Sequence, residues 1–420
     1  MTESSAGIRT RRQGWLEALG FLLIVYSGMN LNGIMQFATG VLGFLSPLIL
    51  GISLVVILAC ASRKLVGDAY IWFSFFMLAY GLGGLLPLAS GGELDSTRLI
   101  AYVGTVIYCS AVYFFIAQRG RDGLQWVLTV VQILFFFDCI AVLNDGLIVS
   151  YFGIERPEER ASGFFDNPNE AAVMALYFLI IIATTATRLS LATVLKLAVA
   201  LAALLLTFSK TGILLFFFLA GAFLLVRRLY GILAVALVSM LALFPIIQFI
   251  VSVNPLGMAD EQVLRIGQIV DVFSGEVDNK TTTGRVELWG IGLERIGKTI
   301  PLGSGIGSYH RMEGSGHLDL EGNWLGVHNT YLMVLGESGL LPFLIFLGFL
   351  FVLIRTSLSG AYSLTMAGFL VVFISDMFVT HGVLTLRLHN LILAIMMAAG
   401  LERTRPADRR TTRSASDFAI

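Results

Sequence analysis

Charge is scarce in this chain. Only 13% of its 420 residues are Asp, Glu, Lys or Arg, where a soluble domain carries about 25%. That shortage excludes a water-soluble body. With 56% hydrophobic residues and a mean hydropathy of +0.83, polar side chains cannot cover the surface, and lipid must be most of the solvent. Net charge is missing as well, because 28 basic residues balance 28 acidic ones; the basic footprint of a nucleic-acid-binding protein is not there. Cysteine is nearly absent. Cys60, Cys109 and Cys139 sit in apolar runs, away from long loops and from metal-ligand spacing, which argues against a disulfide framework and for small apolar packers. Arg9, Arg11 and Arg12 precede an apolar stretch, as in a secretory leader. The stretch runs too long, however, and Tyr26–Gly33 has no small-x-small cleavage pattern, so an uncleaved first span is expected.

What the chain has instead is a series of long apolar runs. About twenty apolar residues cross a bilayer as a helix, because lipid offers backbone groups no partner. The pattern predicts an all-α, polytopic transmembrane bundle of about twelve spans, near residues 16–33, 36–61, 69–88, 99–118, 124–143, 170–187, 189–206, 210–227, 229–251, 328–354, 361–380 and 383–401. The first two are divided at Gly33–Met35. Sidedness follows from the basic residues. With the N-terminus in the cytoplasm, the inside connections hold Arg63 and Lys64, Arg119 and Arg121, Arg188, Arg227 and Arg228, and Arg355, while acidic residues such as Glu155, Asp260 and Asp271 gather outside. The organisation expected is a cytoplasmic segment (1–15), nine spans (16–251), an extracytoplasmic loop (252–327), three more spans (328–401) and a basic cytoplasmic tail (402–420).

The 252–327 loop carries helical periodicity. Val263, Ile266, Val270 and Phe273 recur every three or four residues, and Leu288, Leu293 and Ile296 follow Arg285. Short amphipathic helices on the membrane face are expected there.

Several polar residues fall on the outside face. Arg156 and Arg160 are four apart and would share one helical face, although Glu155, Glu158 and Glu159 beside them suit a salt-bridged loop equally. Lys210 opens the run near 210–227, where it would either act or snorkel to headgroups. Arg285 stands at the start of a helical stretch. His328 opens the run near 328–354, where the positive helix terminus disfavours imidazolium and leaves a neutral, basic ring; a helix-capping or packing role is the plain alternative. His310 and His317 are also outside, at spacings that match no familiar zinc pattern, so no metal is expected. Gly303-Ser304-Gly305-Ile306-Gly307 is too short for a dinucleotide fingerprint and reads as a tight turn. Asp319-Leu320-Glu321 is a weak acidic pair. Within the runs, ionisable residues are few: Asp138, Lys196, Asp376 and Arg387, of which Asp138 and Asp376 are expected to pair or lie near an interface.

In order and spacing these pieces resemble the O-antigen ligase and O-antigen polymerase superfamily of bacterial membrane glycosyltransferases. The matching segments are Arg160-Ala-Ser-Gly163-Phe-Phe-Asp-Asn167-Pro168-Asn169, Thr207-Phe-Ser209-Lys210-Thr-Gly212, Gly284-Arg285-x-x-Leu288-Trp289, Pro301-Leu-Gly303-Ser-Gly305-Ile-Gly307 and His328-Asn329-Thr-Tyr331-Leu-x-x-x-Gly336-Glu337-Ser-Gly339. They span roughly residues 155–350. One position departs from the family: Ser209-Lys210 stands where Ser-Arg is typical, which keeps the charge and loses bidentate phosphate binding.

The resemblance implies transfer of a glycan from a polyprenyl-diphosphate carrier to an acceptor hydroxyl. The acceptor would be lipid A–core for a ligase, or another carrier-linked repeat for a polymerase. It implies Arg156, Arg160, Lys210 and Arg285 on the diphosphate, His328 as the base, and Asn169, Asn329 and Glu337 in support, without metal or cofactor. The partners implied are the lipid-linked donor, the glycan or lipid A–core acceptor and the lipid bilayer, with no nucleic acid. The place implied is the bacterial inner membrane, with both termini cytoplasmic and the site periplasmic. A twelve-span secondary transporter is the competing class; it would show a six-plus-six repeat and midplane ionisable residues.

Overall fold

A computed structural model of the chain describes residues 3–403 except 42, 44, 93, 154–159, 187, 189, 256, 259, 275–284, 313–314, 316–324 and 361. Among the described residues it is helical throughout, with no strand. In chain order the α-helices are α1 (Glu3–Gly28), α2 (Leu31–Thr39), α3 (Ser46–Cys60), α4 (Asp68–Leu85), α5 (Ser96–Leu143), α6 (Asp145–Phe152), α7 (Pro168–Thr185) and α8 (Leu191–Leu206). They continue as α9 (Lys210–Val226), α10 (Tyr230–Val253), α11 (Asp260–Ser274), α12 (Arg285–Thr299), α13 (Thr330–Ser338), α14 (Leu340–Ser357), α15 (Ser363–Val379) and α16 (Arg387–Ala399).

Many starts are written locally. Asp95 caps α5 by accepting from the backbone N–H groups of Thr97 and Arg98, Ser209 caps α9 through Gly212, and Asn167 caps α7 just before Pro168, whose fixed φ suits the first helical position. Among the described residues, four helices are long and apolar enough to cross a membrane: Asp68–Ala89, Ser96–Leu143, Pro168–Thr185 and Leu340–Ser357. A fifth appears if Gly14–Gly28 and Leu31–Thr39, bent by 69°, count as one. Five further apolar helices are shorter, among them α3, α8, α9, α15 and α16. Large apolar side chains such as Leu58, Leu82, Val235 and Phe351 point outward, the surface expected of a body facing lipid.

Helix α5 is 48 residues long. Straight, it would reach about 70 Å, more than twice the roughly 30 Å hydrocarbon core. It is not straight: Gly120 has φ 60° and ψ −136°, breaking the element into two helices between the runs expected at 99–118 and 124–143. Its buried side packs against α1, α3, α7, α8 and α16, and α14 packs along α4.

Three expectations are corrected. The first apolar pair does not divide at 33–35. The chain breaks at Asn30, in left-handed conformation (φ 43°), whose amide donates to the Phe164 carbonyl at 2.8 Å; α2 follows, and α3 begins only at Ser46. The run at 328–354 is two helices. Gly339 (φ 86°) separates α13 from α14 because the Pro301–Leu302 turn packs against it, so closely that a Cβ there would lie 2.3 Å from the Pro301 carbonyl oxygen. Leu293 does not share the buried face of α12. It is exposed, whereas Leu288, Gly292 and Ile296 are buried, the four-residue rhythm that a helix requires.

The loop helices α11 and α12 form where periodicity indicated them, and the three cysteines are buried and unpaired. Of the expected α11 positions, the Phe273 side chain lies outside the described residues. So do His317, Asp319, Glu321, Arg156 and the tail from 404.

Candidate active site

Arg160 is 3% exposed, which no surface salt bridge would require. Its Nε donates to the Thr207 carbonyl at 2.7 Å and its Nη2 to Asn169 Oδ1 at 3.0 Å. One side chain thus pins the segment before α7 to the α8–α9 turn and to the first turn of α7. The neighbouring Ala-Ser-Gly stretch is held from the other side, where Asp145 Oδ1 accepts from the Ser162 and Gly163 N–H groups at 3.1 and 2.7 Å. Asn169 therefore supports Arg160 directly.

Lys210 is the first residue of α9. Its ammonium reaches Gln268 Oε1 of α11 at 2.8 Å, tying a long apolar helix to the amphipathic one. Arg285 is the first residue of α12 and half-buried. Among the described residues it makes no hydrogen bond or ion pair. Burial holds its pKa below the ordinary value; Asp376 acts against that shift, and Arg265 and Arg160 add to it. Arg160 and Arg285, far apart in sequence, thus face one region, with Arg265 a further cation.

His328 precedes α13 in a left-handed conformation (φ 46°), which is rare for a residue with a side chain and is found at functional positions. Helix capping falls to its neighbour: Asn329 Oδ1 accepts from the Leu332 N–H at 3.0 Å, and its amide donates to the Phe378 carbonyl at 3.4 Å. Burial, then Arg285, lowers the His328 pKa to about 4, so the imidazole is neutral at ordinary pH.

Glu337, in α13, is fully buried. Its Oε1 accepts from the Tyr309 N–H at 3.2 Å and lies 3.2 Å from His310 Nδ1, and its Oε2 accepts from the Tyr80 hydroxyl. The glycine turn below it packs as expected: the Ser304 and Gly305 N–H groups donate to the carbonyls of Gly336 and Glu337, and a Cβ on Gly303 would lie 2.7 Å from the Glu337 carbonyl oxygen.

Sequence reasoning missed three participants. His381, in the α15–α16 connection, has its ring centroid 4.9 Å from His328 and 4.9 Å from His310. Sidedness placed it outside, but a lone His in a short connection carries no pattern. Arg265 was hidden in the periodicity of α11. Asp376 was noticed, with Asp138 as an expected partner and no role. It pairs not with Asp138 but with His389, at 2.9 Å, while the Thr380 hydroxyl donates to its other oxygen at 3.1 Å. Asp138 is buried, and neither of its oxygens has a hydrogen-bond partner among the described residues. Arg387 donates to Asn30 Oδ1 at 3.2 Å.

Chemically, two guanidiniums and a neutral imidazole lie close enough to act on one another electrostatically. Two guanidiniums facing the same space suit a ligand with more than one negative charge. Among the described residues no group of three or more His, Cys, Asp or Glu is arranged to hold a metal ion. An apolar groove of about 370 Å³ lies elsewhere between α7, α8, α9 and α15, walled by residues such as Leu179, Phe216, Phe223 and Val371.

Residues 195–347 match the family model described as O-antigen ligase. No curated protein and no solved structure matches the chain.

Proposed function

We propose, on the premise that residues 195–347 form an O-antigen ligase domain, that the protein is a membrane glycosyltransferase moving a glycan from a polyprenyl-diphosphate carrier to an acceptor hydroxyl. The observation that carries this reading is the meeting of Arg160, Arg285 and a neutral His328 from three separate segments. A diphosphate is already a good leaving group. It needs cations to hold the charge that grows as the sugar–phosphate bond breaks, not an acid to protonate it. Arg160 and Arg285 hold that charge, with Lys210 as a further cation; Arg156, expected from sequence to join them, lies outside the described residues. His328 takes the proton of the attacking hydroxyl. Asn169 fixes Arg160, Asn329 frees His328 by capping α13 in its stead, and Glu337 anchors α13. No metal or cofactor takes part. The apolar groove between α7, α8, α9 and α15 suits the polyprenyl tail.

In this reading the body has about twelve spans, counting the shorter apolar helices and both halves of α5. Both termini are cytoplasmic, the 252–327 loop is periplasmic, and the membrane is the bacterial inner membrane. The acceptor is lipid A–core, as in a ligase. The family match favours the enzyme over the transporter.

The test is purified full-length protein in liposomes with a polyprenyl-diphosphate oligosaccharide, with and without lipid A–core. A glycosylated lipid A–core product is expected; longer carrier-linked glycan alone would mark a polymerase. His328→Ala and Arg285→Ala should abolish transfer with the fold retained. Full activity in both overturns the proposal.

A further inference from the structure

Three imidazoles lie in a row beside the proposed site. His328 meets His381 edge-to-face (4.9 Å, 68°), His381 meets His310 in the same manner (4.9 Å, 85°), and His310 Nδ1 ends on the Glu337 carboxylate at 3.2 Å. The row is built, not incidental. A Cβ at Gly326 would come within 2.8 Å of the His381 ring, so that glycine makes room for it. Glu337 is locked by the Tyr309 N–H and the Tyr80 hydroxyl, and Tyr80 lies 3.1 Å from the Tyr102 hydroxyl.

Two ring nitrogens of the row, His381 Nδ1 and His310 Nε2, are buried and have no hydrogen-bond partner among the described residues. Orphaned buried nitrogens are costly and uncommon, and where they persist they point to water or to chemistry. The charges at the two ends of the row are opposite. Arg285 acts on His328, and Arg98 acts on His381 along with the two flanking rings; Glu337 faces His310, with the Tyr102 ring at 6.4 Å. His328 thus has a guanidinium beside it, and the far end of the row rests on a carboxylate.

We propose that His381 and His310 form a relay that carries the acceptor proton from His328 to His310, beside the buried Glu337 carboxylate. This rests on His328 being the base. As the acceptor oxygen bonds to the anomeric carbon, the sugar–phosphate bond breaks and the diphosphate keeps the electron pair. The acceptor O–H bond breaks and its proton goes to His328. A base held so acidic by its neighbours cannot keep that proton. It passes, through water bridging the orphaned nitrogens, to His381 and His310, where Glu337 balances the charge. It returns to solvent through His328 after the diphosphate leaves.

The experiment uses full-length protein in liposomes with the lipid-linked donor, and compares His328→Ala, His381→Ala, His381→Phe and Glu337→Gln. The relay predicts that His381→Ala lowers kcat about a hundredfold with the donor KM nearly unchanged, and that added imidazole restores part of the rate by filling the space. His381→Phe fills that space with a ring that carries no proton, and should be equally slow and not restored. Glu337→Gln should lower kcat with the donor KM nearly unchanged, because the carboxylate on which the row ends is gone. Wild-type kcat in both His381 variants overturns the relay, as does a folded, slow His381→Ala that imidazole does not restore. If His328→Ala is itself active, the base assignment fails instead, and the two failures are distinct.

Discussion

Arg160 and Arg285 carry the same charge and hold it differently. Arg160 spends donors on Thr207 and Asn169, so Arg160→Ala should cost both stability and activity, and Asn169→Ala should lower activity through Arg160. Arg285 has no such ties among the described residues; Arg285→Lys should fold normally and lose about 10²–10³ in kcat, the usual cost of one preorganised donor, read as thermal stability beside transfer rate. His328 also reports on stability. The folded protein keeps it neutral down to about pH 4, while the unfolded chain protonates it near 6.5. Below about 6.5 the unfolded state binds the extra proton, so this residue makes stability fall as pH drops toward 4. Melting curves across that window should be flatter in His328→Gln. Arg160, Arg285 and His328 were legible from sequence because each stands in a run of distinctive neighbours. His381 was not, because what marks it is proximity in space to His328 and His310, more than forty positions away, and a single His at a helix end has no spacing to read.

Helices were legible wherever apolar length or a cap dictated them: Asp95, Asn167, Ser209 and Asn329 each start one. Breaks were harder. Gly339 looks in sequence like any glycine in an apolar run, and only the Pro301–Leu302 turn pressing on it shows why α13 must end there. Gly339→Ala should therefore destabilise the protein by about 1–3 kcal/mol, the range for a side chain forced into that backbone region, measured by thermal unfolding in detergent. The α9–α11 tie makes a second prediction. Gln268→Ala removes the acceptor from Lys210 and should raise the KM for the lipid-linked donor more than it lowers kcat, since α11 carries Arg265 and its position sets part of the charge around Arg285.

For the whole molecule, sidedness is the expectation with the most at stake. With the three buried cysteines replaced, a cysteine at exposed Tyr151 should react with an impermeant maleimide in intact inverted-free cells whose outer membrane is permeabilised. One at Arg228 should react only after the inner membrane is opened. The reverse pattern would put Arg160, Arg285 and His328 on the cytoplasmic face and sink the periplasmic assignment. Composition and charge asymmetry made the class of protein legible; the number of crossings was less so, because short apolar helices and a 48-residue double helix blur the relation between run length and span. The buried Glu337 has one more consequence, which concerns biogenesis. Its partner Tyr80 lies 257 residues earlier in the chain, in a helix that leaves the ribosome long before α13 is made. The early helices must wait, with a tyrosine pair unmatched in their midst, until the C-terminal third arrives to close them. A chain arrested before residue 330 should be recognised as unfinished by membrane quality control and degraded.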